Sequence, residues 1–122
     1  MRNKVGVIVY DKFGKLLLVE GLSGKISLPK GDRKSDETEL EGALREAKEE
    51  TGIHLKDITY ISQINLVWGT YFLYRLPTDS SALDLQPQAE EVAKILWKEP
   101  GCKWMRKADL NCDLASYVKG LV

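Results

Sequence analysis

Histidine occurs once in this chain, at position 54, and cysteine twice, at positions 102 and 112. That scarcity argues against a histidine- or thiolate-built metal cluster and against a disulfide framework, and makes a reducing cytoplasm the expected compartment. Net charge is lacking too. With 18 Lys and Arg against 18 Asp and Glu, no global field points to nucleic acid or a membrane as the main partner. Apolar runs such as VGVIVY and LLLV fall far short of the roughly 20 residues that a membrane-spanning helix needs. The N-terminal MRNKVGVIVYD passes directly into a strand pattern, with no signal-peptide character. What is present is an ordinary globular balance, 43% hydrophobic and 30% charged, and one domain is expected over residues 1–122.

Local pattern supplies the elements. KVGVIVYD and KLLLVEG, joined through KFG, read as a hairpin of strands near residues 4–10 and 15–20. KISLP is a short run closed by Pro29. DITYISQINLVW and TYFLYRLP read as two more strands, broken at Gly69, followed by the polar loop TDSSALDLQPQAEE. A strand over VAKILWK, a turn at Pro100 and Gly101, and a short final helix complete the chain. Strands surrounding one strong helix and ending in a second predict an α+β (mixed α/β) layered domain.

The strong helix lies within GDRKSDETELEGALREAKEETGI, residues 31–53. Asp36 with Glu39 matches a capping box, and Gly52 stands where a left-handed residue closes a helix. Leu40, Ala43, Leu44 and Ala47 form one apolar stripe, and Glu46, Glu49 and Glu50 fall on the stripe beside it. Three neighbouring carboxylates repel one another, and Glu49 and Glu50 sit at the negative end of the helix dipole. A solvated charged face, offset by Arg45 and Lys48, is the ordinary reading of such a helix. Placement against the apolar stripe and at the unfavourable helix end favours an acidic site for a hard divalent cation, which turns repulsion into coordination.

The spacing also resembles a named motif. Gly31, Glu37 and the run Arg45-Glu46-Ala47-Lys48-Glu49-Glu50-Thr51-Gly52-Ile53 are similar to the Nudix box, GX5EX7REUXEEXGU with U aliphatic, at every specified position. Ala47 is the undersized member of the apolar set. The resemblance implies an α/β/α sandwich around a mixed sheet, with the box as loop, helix, loop. It implies a Nudix hydrolase: metal-assisted attack of water on phosphorus in a nucleoside diphosphate linked to another group. It assigns Glu46, Glu49 and Glu50, with a backbone carbonyl near Gly31, to Mg²⁺ or Mn²⁺. It makes Arg45, steadied by Glu37, the group that orients the glutamates.

Outside the box the assignments are separate. The resemblance places a general base either among the box glutamates or in a later loop, where Glu91 is preferred over Glu90 and Glu99. LPKG, residues 28–31, resembles the box entry of diadenosine polyphosphate hydrolases, diphosphoinositol polyphosphate phosphohydrolases and decapping enzymes, and Lys30 is a candidate phosphate contact. Trp68, Tyr71, Tyr74 and Trp104 are candidates to stack on a base, although strand aromatics more often belong to a core. Lys103, Arg106 and Lys107 form a small basic cluster, and His54 is expected at the surface. A dinucleoside polyphosphate or related nucleotide is the favoured substrate. A diphosphoinositol polyphosphate, an RNA 5′ end, or a non-catalytic nucleotide-sensing role are the alternatives. The chain is expected as monomer or homodimer with no membrane partner.

Overall fold

Strand β1 (Lys4–Tyr10) shows how the sequence divides into layers. Its alternate residues leave the sheet on opposite faces. Val5, Val7 and Val9 enter one core with Leu17, Ala43, Ala47, Phe72 and Tyr74. Ile8 and Tyr10 enter a second core with Leu18, Leu28, Tyr71, Leu114 and Tyr117. The computed structural model describes residues 3–100 and 109–121, and among these the sheet is mixed, with a helix on each face.

The other strands are β2 (Leu16–Gly21), β3 (Ile26–Ser27), β4 (Lys30–Asp32), β5 (Ser62–Asn65), β6 (Gly69–Arg75) and β7 (Val92–Lys98). The helices are α1 (Glu39–Thr51) and α2 (Cys112–Gly120), with a short 3-10 turn at Ser80–Ala82. The main order is β3-β2-β1-β6-β5, with β7 on β2 and β4 on β1. β1 and β6 run parallel from Lys4↔Gly69 to Tyr10↔Arg75, and β2 and β7 run antiparallel. The expected hairpin is present at its turn, where Tyr10 faces Leu16. Buried Asp11 closes it by accepting the Phe13 and Lys15 amides. Its other oxygen accepts the Ser80 amide, and these bonds outweigh burial to hold its pKa down at about 2. Further along, the segment after β2 pairs first with β2 through β3 and then crosses to β1 through β4. That crossing lays Leu28 to Gly31 directly on the sheet.

Two local expectations change. The N-cap is Thr38, two residues later than the Asp36 pattern suggests. Its hydroxyl accepts the Glu41 amide, and the Glu41 carboxylate accepts the Thr38 amide in return. The shift follows from Glu37, whose carboxylate is held by Arg45 and by the Lys34 amide while its carbonyl accepts from Arg33, so residues 33–37 form a turn. β4 was not readable, because three residues after a proline carry no alternation. Gly69 opens β6, and β5 and β6 are separate strands on either side of the break expected there. At the other helix end the expectation holds: Gly52 has φ of 80° and its amide bonds to the Lys48 carbonyl. The turn residue Gly101 lies outside the described residues.

Candidate active site

Gly31 and Glu46 meet at close range. A Cβ on Gly31 would lie 2.1 Å from the Glu46 carboxyl carbon and 2.2 Å from each of its oxygens, so the absent side chain is what admits the carboxylate beside β4. One turn on, Glu50 is 9% exposed and its Oε1 accepts the Lys30 amide at 2.9 Å. Burial pushes its pKa up to about 7, against the Lys30 amide bond and the Lys30 cation, while the nearby charges of Glu46 and Glu91 add to the rise.

Arg45 organises the rest. Its Nε and Nη2 donate to the two Glu37 oxygens at 2.6 and 2.9 Å. Nη1 donates to Glu46 at 3.1 Å and Glu49 at 2.9 Å, and Nη2 also reaches the Asp32 carbonyl. A planar guanidinium suits this fork-on-fork contact, and a lysine ammonium cannot reproduce it. The hydrogen bond to Arg45 leads in lowering the Glu37 pKa to about 2, and the bond to Glu37 leads in raising that of Arg45. Glu46 is raised by burial, with Arg45 opposing.

The three box glutamates are therefore neighbours but are not gathered into a cage. Glu46 and Glu49 turn to Arg45, Glu50 turns to Lys30, and among the described residues no three His, Cys, Asp or Glu side chains enclose an ion-sized space. Helical spacing set them on one stripe, and their hydrogen bonds fan them out. The donors are nonetheless all oxygen, and Glu50 is buried with none of the described residues donating to Oε2. Together with the Glu46 carboxylate seated at Gly31, these features suit a hard divalent cation.

The loop before β7 is tied to the same helix end. Gln88 and Ala89 both donate amides to the Glu49 carbonyl at 2.8 Å. Gly52 permits this approach, since a Cβ there would come within 2.7 Å of the Gln86 carbonyl oxygen. Leu22 donates to the Glu91 carbonyl from the other side. The result is a cleft of about 320 Å³ lined by Lys25, Ser27, Lys30, Glu50, Glu91 and Asn111, among others.

The structure thus brings together Gly31, Lys30, Glu37, Arg45, Glu46, Glu49, Glu50 and Glu91. Glu90 is exposed and does not line the cleft. Glu99 follows β7 at its far end, about 26 Å along the strand from Glu91. Trp68 is 54% exposed at the β5–β6 turn. It precedes Gly69, which faces Lys4, and Lys4 on its other side faces Asp32. Tyr71 is placed differently from the expectation: it is fully buried, its hydroxyl donates to Asp113 at 2.6 Å, and no ring face is open to a base. Tyr74 is buried as well, and His54 is exposed. Trp104, Lys103, Arg106 and Lys107 lie outside the described residues. Lys25, Ser27 and Asn111 escaped sequence reasoning. Asn111 is legible as the N-cap of α2, accepting the Asp113 amide, but its place in the cleft depends on the Leu110–Ile26 bridge.

Comparison with known proteins decides the family. The NUDIX domain model matches residues 1–119. The chain belongs to the NUDIX domain family. An m7GpppN-mRNA hydrolase of Saccharomyces cerevisiae is 32% identical over 95 residues, which are 74% of this chain and 10% of that protein. The chain thus spans about a tenth of the length of the curated relatives it matches. An Ap4A hydrolase from C. elegans superposes with a TM-score of 0.74 at 22% identity, covering 97% of this Nudix chain and 94% of its own. A bifunctional NMN adenylyltransferase/ADP ribose pyrophosphatase from Francisella tularensis, complexed with AMP and Mn ion, gives 0.77 at 18% identity, covering 99% and 40%. The Nudix membership read from residues 31–53 and the α+β fold class both hold. No helix among the described residues is long and apolar enough to cross a membrane.

Proposed function

We propose that this Nudix chain is a Mg²⁺-dependent pyrophosphohydrolase that cleaves a nucleoside diphosphate linked to another group, with a dinucleoside polyphosphate as the leading substrate. The observation that carries the reading is that Glu50, from the box, and Glu91, from the loop before β7, line one cleft together with Lys30 and Lys25. Glu46, Glu49, Glu50 and the Gly31 carbonyl are the groups that would hold Mg²⁺ or Mn²⁺. When bound, the ion would neutralise phosphate oxygens and make a water more acidic. Arg45 orients Glu46 and Glu49 and is itself braced by Glu37. Lys30 supplies a cation to the phosphate chain, and Glu91 accepts the proton of the attacking water. Trp68 offers a ring to a base at the neighbouring end of the sheet. The fold shared with an Ap4A hydrolase is in keeping with this substrate class.

A second reading has its own support. The 32% identity to a yeast m7GpppN-mRNA hydrolase favours an RNA 5′ end as an alternative substrate, while a diphosphoinositol polyphosphate rests on the LPKG entry alone. The deciding experiment incubates the protein with Mg²⁺ and, in separate reactions, a dinucleoside polyphosphate, capped RNA, ADP-ribose and a diphosphoinositol, and identifies the products. Cleavage of a phosphoanhydride that stops in excess chelator is the expected result. Cleavage indifferent to chelator overturns the metal assignment, and binding without turnover points to a nucleotide-sensing module.

A further inference from the structure

Asp113 is 1% exposed, and a carboxylate that deep must be fully partnered. Both of its oxygens are used: Oδ1 accepts the Trp68 amide at 2.8 Å and Oδ2 accepts the Tyr71 hydroxyl at 2.6 Å. Neither partner belongs to α2, the helix that carries Asp113, so the carboxylate ties that helix to β6 and to the turn before it.

What Tyr71 does with its ring follows from Gly6. The two residues face each other across the parallel β1–β6 pair, and Gly6 faces Lys30 on its other side. A Cβ on Gly6 would lie 2.3 Å from the Pro29 carbonyl oxygen, 2.8 Å from Tyr71 Cε2 and 2.9 Å from Lys30 Cβ. The space above Gly6 is therefore shared by the Tyr71 ring and the Pro29–Lys30 backbone, each limiting the other. The Pro29 carbonyl is held there by the Val7 amide, and the next amide, that of Lys30, is the one donated to Glu50.

We propose that Tyr71, anchored by Asp113 and seated over Gly6, is a positioning residue that sets the Lys30 amide and through it the Glu50 carboxylate. This rests on the reading of Glu50 as a metal ligand, yet its first readout does not require the metal. Nitrogen-15 labelling of lysines reports the Lys30 amide directly. Its proton resonance should move upfield in Tyr71→Phe, which keeps the ring and removes the anchor. Asp113→Asn can still accept from Trp68 and donate to the Tyr71 oxygen, so it should keep a shift close to the parent's. Tyr10→Phe is the control, because it breaks the other buried hydroxyl pair of this core, Tyr10 with Tyr117, away from Lys30, and should leave the resonance in place.

Mn²⁺ titration supplies the second readout. Loss of a direct second-layer partner lowers metal affinity about 10- to 100-fold, so one step further removed Tyr71→Phe should lower it about three- to tenfold. A folded Tyr71→Phe with an unmoved Lys30 amide and unchanged Mn²⁺ affinity overturns the inference. If the parent protein binds no Mn²⁺, the metal reading of Glu50 fails instead, and the Lys30 resonance alone decides the positioning role.

Discussion

Replacing Glu50 by glutamine isolates the cost of ionising a carboxylate that burial has made reluctant to ionise. In the metal-free protein the group's pKa is raised from 4.5 to about 7. The unfolded chain then releases this proton first as pH rises, so the folded state binds more protons between these values and its stability falls. The neutral form's contribution is complete below pH 4.5 and is lost as pH passes through 7. A pKa difference of about 2.5 corresponds to about 3 kcal/mol. Glutamine never ionises, and its side-chain oxygen can still accept the Lys30 amide. In chelator, therefore, the stability of Glu50→Gln relative to the parent should improve by about 3 kcal/mol between pH 4.5 and pH 8. Other titrating groups are common to both proteins and cancel in the difference. Urea denaturation at a series of pH values measures this directly. Saturating Mg²⁺ should close the gap by stabilising the parent, by about 2.7 kcal/mol at a hundredfold excess over Kd, while leaving the variant unmoved. A difference that stays constant from pH 5 to pH 8 refutes the reasoning, because it means that Glu50 is not carrying a burial penalty.

Three further outcomes follow from the geometry. Gly31→Ala sets a methyl 2.1 Å from the Glu46 carboxyl carbon, so Glu46 must swing away, and Mn²⁺ affinity measured by calorimetry should fall at least tenfold with the fold retained; unchanged affinity removes Glu46 from the site. Glu91→Gln should lower kcat by about a hundredfold or more with little change in KM, whereas Glu99→Gln should match the parent in the same steady-state assay. Thermal or urea unfolding should show Thr38→Ala costing about 1 kcal/mol through loss of the cap, and Asp36→Ala changing stability by under about 0.5 kcal/mol; equal effects would return the cap to Asp36.

Much of the site was legible because helical neighbours are set by backbone geometry alone. Glu46, Glu49, Glu50 and Arg45 lie within one and a half turns, and the periodicity that put them on one stripe needs no tertiary information. Arg45 reaching Glu37, eight residues earlier, was also within reach of motif reasoning. The Thr38 cap was not, because Asp36 has the better cap chemistry in isolation and loses only once Glu37 is committed to Arg45.

Tyr71 and Glu91 mark the other boundary. A tyrosine in an alternating strand presents one pattern whether its face meets water or a second helix; here α2 covers it, and Asp113, 42 residues away, takes its hydroxyl. Glu91, Glu90 and Glu99 are equivalent as loop acids in one dimension. The Gln88 and Ala89 amides on the Glu49 carbonyl bring Glu91 into the cleft and leave Glu99 a strand's length away. Local spacing therefore determined the acidic stripe and its guanidinium brace, since both act through a single helix and its entry turn. Contacts between distant segments decided which loop acid faces the stripe, which aromatic stays accessible and how the glutamates fan, because those depend on which backbone amides the fold carries to each carboxylate.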